Sequence, residues 1–128
     1  MPHIIIDYSA NLSPHVDFGR FCDHLRKIAG AIEIFEMPGI RVRAIAADHY
    51  SIADGNPEHG YIDISVRLRE GRPLEARREA AVKLFAAAEQ FLKPVLDTRA
   101  LALSLEMRNI DAELSPKTGT IRNYLGEA

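Results

Sequence analysis

The chain of 128 residues has a single cysteine, Cys22, and no tryptophan. One thiol excludes an internal disulfide, and its place on an apolar helical stripe reads as a small core residue. No apolar run approaches the roughly 18–20 residues of a membrane-spanning helix. The opening residues lack the basic-then-apolar order of a secretion signal, so the expected location is the cytoplasm. A surplus of one charge is also missing. The 16 Lys and Arg against 18 Asp and Glu leave a net −2, with no general attraction to nucleic acid or membrane. His3, His15, His24, His49 and His59 are scattered without metal-ligand spacing, so no metal site is expected. There is no P-loop, no GxGxxG, and no serine set in a nucleophile elbow. What is present is 47% hydrophobic and 27% charged residues, enough for one domain with a core of its own.

Ile4-Ile5-Ile6 is a short β-branched run, read as a strand buried on both faces. Ser13 suits a helix N-cap and Pro14 the first helical position. Phe18, Phe21, Cys22, Leu25, Ile28, Ala29 and Ile32 recur at helical spacing. Pro38-Gly39 breaks that pattern. A second strand is expected from about 40 to 48, with Val42, Ile45 and Ala47 apolar, and then a loop over 49–59 turning at Asp54-Gly55-Asn56-Pro57. Ile62, Ile64, Val66 and Leu68 alternate with polar residues, as in a half-buried strand. After Gly71-Arg72-Pro73 comes a long helix with the stripe Leu74, Ala81, Leu84, Phe85, Ala88, Phe91, Leu92 and Val95. Pro94 should end or kink it. Leu101, Leu103, Leu105 and Met107 alternate as a fourth strand. The rest is polar, with one short helix near 120–125.

The order is therefore βαβ–βαβ in one domain, with halves at about 2–49 and 60–108 and a tail over 109–128. Each half can form a right-handed unit with parallel strands. The expected class is α/β (α+β), a mixed four-stranded sheet with two helices on one face. The first strand reads as too apolar to meet water, so other copies of the chain are expected on the bare face.

Both strands of a parallel βαβ unit begin at the same sheet edge. Pro2 opens the first strand and Arg41 the second. If the halves meet antiparallel, the third strand ends there too, bringing Arg69, Gly71 and Arg72. Methionine is generally removed before a small residue, and proline qualifies, so the expected mature chain begins with a prolyl amine joined to a rigid strand. Nearby guanidinium groups disfavour protonation of that amine and can hold carboxylates through paired hydrogen bonds. A neutral amine among arginines suits proton transfer on a small acidic substrate. Plainer readings exist: Arg41 and Arg43 as solvated strand residues, Arg72 as surface charge at a helix entry, Arg77-Arg78 as an exposed helix face. His3 and His49 are the histidines singled out as pocket candidates.

Several stretches, in order, resemble the 5-carboxymethyl-2-hydroxymuconate isomerases of the tautomerase superfamily. They are Pro2-His3-Ile4-Ile5 with Tyr8-Ser9, Gly39-Ile40-Arg41-Val42-Arg43, Ala53-Asp54-Gly55, Gly71-Arg72-Pro73-Leu74-Glu75-Ala76-Arg77, and Arg99-Ala100-Leu101-Ala102-Leu103-Ser104. The resemblance runs from Pro2 to about Glu106. It departs at Pro94, at His49-Tyr50-Ser51 and in the tail, which bears on the pocket wall. It implies tandem β-α-β units, a homotrimer, no cofactor, Pro2 as catalytic base, and Arg41 and Arg72 as substrate-binding residues. The implied reaction is ketonisation of a dienol in aromatic catabolism. The other readings are a different tautomerase-superfamily activity on a small unsaturated oxo acid, and a non-catalytic ferredoxin-like module that binds a small ligand. In that last fold the two strands of each half are not adjacent.

Overall fold

The computed structural model describes residues 2–126. Its elements are β1 (His3–Ser9), α1 (Phe18–Gly30), β2 (Arg41–Ala47), β3 (Gly60–Arg69), α2 (Leu74–Leu96) and β4 (Leu101–Ile110), with 3₁₀ turns at Ala10–Leu12, Met37–Gly39 and Ile121–Tyr124. They make a four-stranded sheet in the order β2-β1-β3-β4. β1 and β2 are parallel, β3 and β4 are parallel, and the halves meet antiparallel through β1 and β3. The two strands of each half are adjacent, so a ferredoxin-like arrangement is excluded. Among the described residues no helix is long and apolar enough to cross a membrane.

Alternation assigns each strand residue to a face. Ile4, Ile6, Ile62, Ile64, Val66 and Leu68 are fully buried and pack with Phe21, Leu25, Ala29, Leu84, Ala88 and Leu92 of the helices. Tyr8 stacks on Phe18, with ring centroids 3.6 Å apart. Registered neighbours place His3, Ile5 and Asp7 of β1 on the other face. The isoleucine run is therefore split by the pleat, and only Ile5 of the three points away from the helices. This corrects the reading of β1 as apolar on both sides. Its open face joins Arg41, His3, Arg67 and Arg108 in one row and Ile45, Asp7, Asp63 and Ser104 in another.

Other boundaries also differ from expectation. α1 begins at Phe18 rather than at Pro14, because Asp17 caps it by accepting from the Arg20 N–H at 3.1 Å. Ser13 instead closes the preceding 3₁₀ turn. The packing stripe of α2 is Ala80, Leu84, Ala87, Ala88, Leu92 and Val95, while Leu74 is exposed at the helix entry. Three of these six buried residues are alanines. α2 passes through Pro94 and ends at Leu96; the proline sits in the last turn, and its carbonyl accepts from Thr98 Oγ1. Cys22 is only half-buried at the margin of the core, and partial burial, with Asp23 beside it, pushes its thiol pKa up.

Candidate active site

The parallel pairing of β1 with β2 brings their first residues together. The Arg41 N–H donates to the Pro2 carbonyl at 3.1 Å. The Pro2 ring is among the fully buried side chains, so the start of β1 is anchored. Met1, whose removal the sequence led us to expect, lies outside the described residues. β3 arrives antiparallel, and His3 sits in register between Arg41 and Arg67.

Arg41 Nη1 lies 3.2 Å from His3 Nε2. A guanidinium can only donate, so Nε2 accepts and the imidazole proton is on Nδ1. That Nδ1 is buried and has no hydrogen-bond partner among the described residues. Burial, followed by the charges of Arg67, Arg41 and Arg43, pushes the His3 pKa below its ordinary value. At neutral pH His3 is therefore neutral, as the hydrogen bond from Arg41 requires.

Arg72 stands where β3 gives way to α2. Its side chain is 24% exposed, and Nη2 lies 3.8 Å from Glu36 Oε1. Its carbonyl accepts from Arg77 Nε at 3.1 Å, which ties the loop to the first turn of α2. Glu36 precedes the Pro38-Gly39 turn and lines a cavity of about 390 Å³ with Arg41, Lys117 and Arg122. Next to it a cavity of about 260 Å³ is lined by His3, Arg41, Arg67, Arg69 and Lys117. Arg41, Lys117 and Thr118 line both cavities. Among the described residues, Arg67, Arg69 and Lys117 have no carboxylate within 4.0 Å.

The structure thus brings Pro2 and Arg41 into contact and joins Arg72 to the same edge through Glu36. His3 lines a cavity here, as the sequence suggested. His49 also lines a cavity, of about 350 Å³, but in the Asp48–Pro57 loop beyond the opposite end of the sheet. Pro94, near the end of α2, lies toward that far end too. Neither departure therefore touches the two cavities at this edge, whose linings include Arg41 but not Pro2 itself. The tail does. β4 runs parallel to β3, so it ends at the Pro2 edge with Ile110 opposite Arg69, and the following residues cross the cavities. Sequence reasoning missed Lys117 and Arg122, although the strand order that located Arg69 also predicts where the tail emerges. No group of three or more His, Cys, Asp or Glu able to hold a metal ion occurs among the described residues.

A family model described as 5-carboxymethyl-2-hydroxymuconate isomerase matches residues 2–125. A 5-carboxymethyl-2-hydroxymuconate Delta-isomerase of Escherichia coli is 28% identical over 121 residues, 94% of this chain and 96% of that protein. The crystal structure of a 5-carboxymethyl-2-hydroxymuconate delta-isomerase superposes with a TM-score of 0.91 at 28% identity, covering 100% of this chain and 95% of the other. A fused 4-OT symmetric trimer, 17% identical, shares the fold with a TM-score of 0.62 over 87% of this chain and 88% of the other. The family match extends through the tail, well past the Glu106 limit read from the sequence.

Proposed function

The chain belongs to the 5-carboxymethyl-2-hydroxymuconate isomerase family, and we propose that it ketonises dienols of that type with the Pro2 nitrogen, freed by removal of Met1, as general base. The observation that carries this reading is the contact between Pro2 and Arg41 at one sheet edge. Burial of the proline ring holds the nitrogen in place and disfavours the protonated amine. The nitrogen takes the 2-hydroxyl proton of the dienol and returns a proton to a carbon further along the conjugated system. Arg41 and Arg72 hold substrate carboxylates and stabilise the delocalised dienolate between them. A substrate carboxylate displaces the long contact between Arg72 and Glu36, which is weak enough to exchange.

The whole chain acts as one domain, and the active form is a homotrimer. In favour of assembly are Ile5 and Ile45 on the open sheet face, Ile45 being 53% exposed, and the fold shared with a protein solved as a symmetric trimer. The test separates processed from Met1-retaining protein by mass and assays each. Retention converts the prolyl amine into a tertiary amide without a basic nitrogen. The retained form is expected to fold and assemble normally but to turn over at most about one thousandth as fast, the scale of losing a general base. Equal rates in the two forms would eliminate Pro2 as the base.

A further inference from the structure

The two cavities at the Pro2 edge differ in charge. The larger has Glu36 in its wall, opposite Arg41, Lys117 and Arg122. The smaller has no acid in its wall at all; its charged or titratable residues are His3, Arg41, Arg67, Arg69 and Lys117. Gathering cations without a counter-charge opposes folding, and a site that keeps such a cluster is complementary to an anion. Arg67 is half-buried on a central strand, so its charge is less screened than that of an exposed arginine. Ile110 and Pro116 add apolar wall to this cationic pocket. A short methylene arm ending in a carboxylate fits such a lining.

We propose that this smaller cavity is a carboxylate subsite, closed by Lys117 of the tail, that receives the carboxymethyl arm of the substrate while the dienol lies along Arg41. The proposal rests on the dienol-ketonising function proposed above and makes the tail the part of the chain that selects the substrate. 5-Carboxymethyl-2-hydroxymuconate differs from 2-hydroxymuconate by that one arm. The arm's carboxylate would accept from Lys117 Nζ and the Arg67 guanidinium, neither of which has another acid among the described residues.

The experiment measures kcat/KM for the two dienols in the processed enzyme and in Lys117→Gln and Arg67→Gln. Lys117 is exposed and lies outside the sheet, so its replacement keeps the fold even if Arg67→Gln disturbs it. The ratio of kcat/KM for the carboxymethyl dienol over the shorter one should fall about tenfold in each folded variant, the scale of removing one charge-assisted hydrogen bond. A ratio equal to the wild-type value in Lys117→Gln would overturn the proposal. Calorimetry reads the subsite without turnover. Propane-1,2,3-tricarboxylate should bind the wild type more tightly than pentanedioate, with the preference abolished in both variants. Equal binding of the two acids by the wild type would also overturn it. If neither dienol reacts yet the binding preference holds, the proposed reaction fails and the carboxylate subsite stands.

Discussion

The two ends of the sheet handle charge in opposite ways. At the end where β3 begins, charged groups have counter-charges close by, although Asn11 Oδ1 and Arg99 Nε are buried without a partner among the described residues. His59 Nε2 lies 2.8 Å from Asp54 Oδ1, Arg99 lies 3.3 Å from Glu58, and Asn11 donates to the His59 carbonyl at 2.7 Å. The buried Ser9 hydroxyl accepts from the Tyr61 N–H at 3.0 Å. Tyr61 in turn donates to Asp7 at 2.7 Å; burial and this bond push its pKa up to about 12. At the Pro2 end, Arg67, Arg69 and Lys117 have no such partners among the described residues, and the acid in reach of Arg72 is only loosely engaged. Satisfied groups hold a fold together, whereas an unbalanced cluster beside a cavity is arranged for a ligand. The contrast fits the proposed function, which draws on the second end.

The sharpest way to break that contrast is at Arg41 and Arg72. Replacing either by Ala should lower kcat/KM by the equivalent of about 2–4 kcal/mol, the scale of removing a charge-assisted hydrogen bond to developing charge. The denaturation midpoint should move little, because both residues sit at element ends. Wild-type kinetics in both variants would place the chemistry elsewhere.

A change at the far end should do the reverse. A Cβ on Gly60 would stand 2.8 Å from Leu12 Cδ2 and 3.0 Å from its Cγ, in a part of the core where Leu12 is fully buried. Gly60→Ala should therefore cost about 1–3 kcal/mol of stability by overpacking, measured by chemical denaturation, while kcat/KM stays near wild type. A kinetic defect larger than the stability defect would blur the division between the two ends.

The smallest effect concerns pH. The His3 pKa lies below 6.5 in the folded chain, through burial and then Arg67, Arg41 and Arg43. As pH falls below about 6.5, the unfolded chain takes up this proton first. The stability due to neutral His3 is present above that pH and is lost as pH falls through the lower folded value. His3→Gln should thus show a shallower loss of stability between about pH 7 and pH 5 than the wild type, read from denaturation midpoints. Identical slopes would mean that the Arg41–His3 pairing does not constrain protonation.

Much of this arrangement was legible in the residues. The alternation of Ile62, Ile64, Val66 and Leu68 marked β3, and its buried side is the side the alternation indicated. Pro38-Gly39 and Gly71-Arg72-Pro73 marked breaks that the structure keeps. The apolar stripe of α1 was visible, but its start was not: Ser13 was read as the cap, whereas Asp17, four residues on, is the residue that meets the N–H of the first helical turn. The α2 stripe was read in part: Leu84, Ala88, Leu92 and Val95 are buried as expected and Phe91 packs against the core, while Ala80 and Ala87 were missed because alanine carries little hydrophobic signal.

The sequence by itself determined the order of elements and the meeting of Pro2, Arg41 and the end of β3 at one edge. Those follow from local periodicity and from the geometry of parallel crossovers, which act within one βαβ unit. Only the tertiary structure decided which two of the three isoleucines in β1 face the helices, since a one-residue change of register exchanges the faces. It also decided that Arg72 reaches Glu36, and that Lys117 shares a cavity wall with Arg41 across 76 positions of chain. Such contacts join segments with no common periodicity. Their existence depends on the packed positions of the sheet and the tail together, which no local pattern specifies.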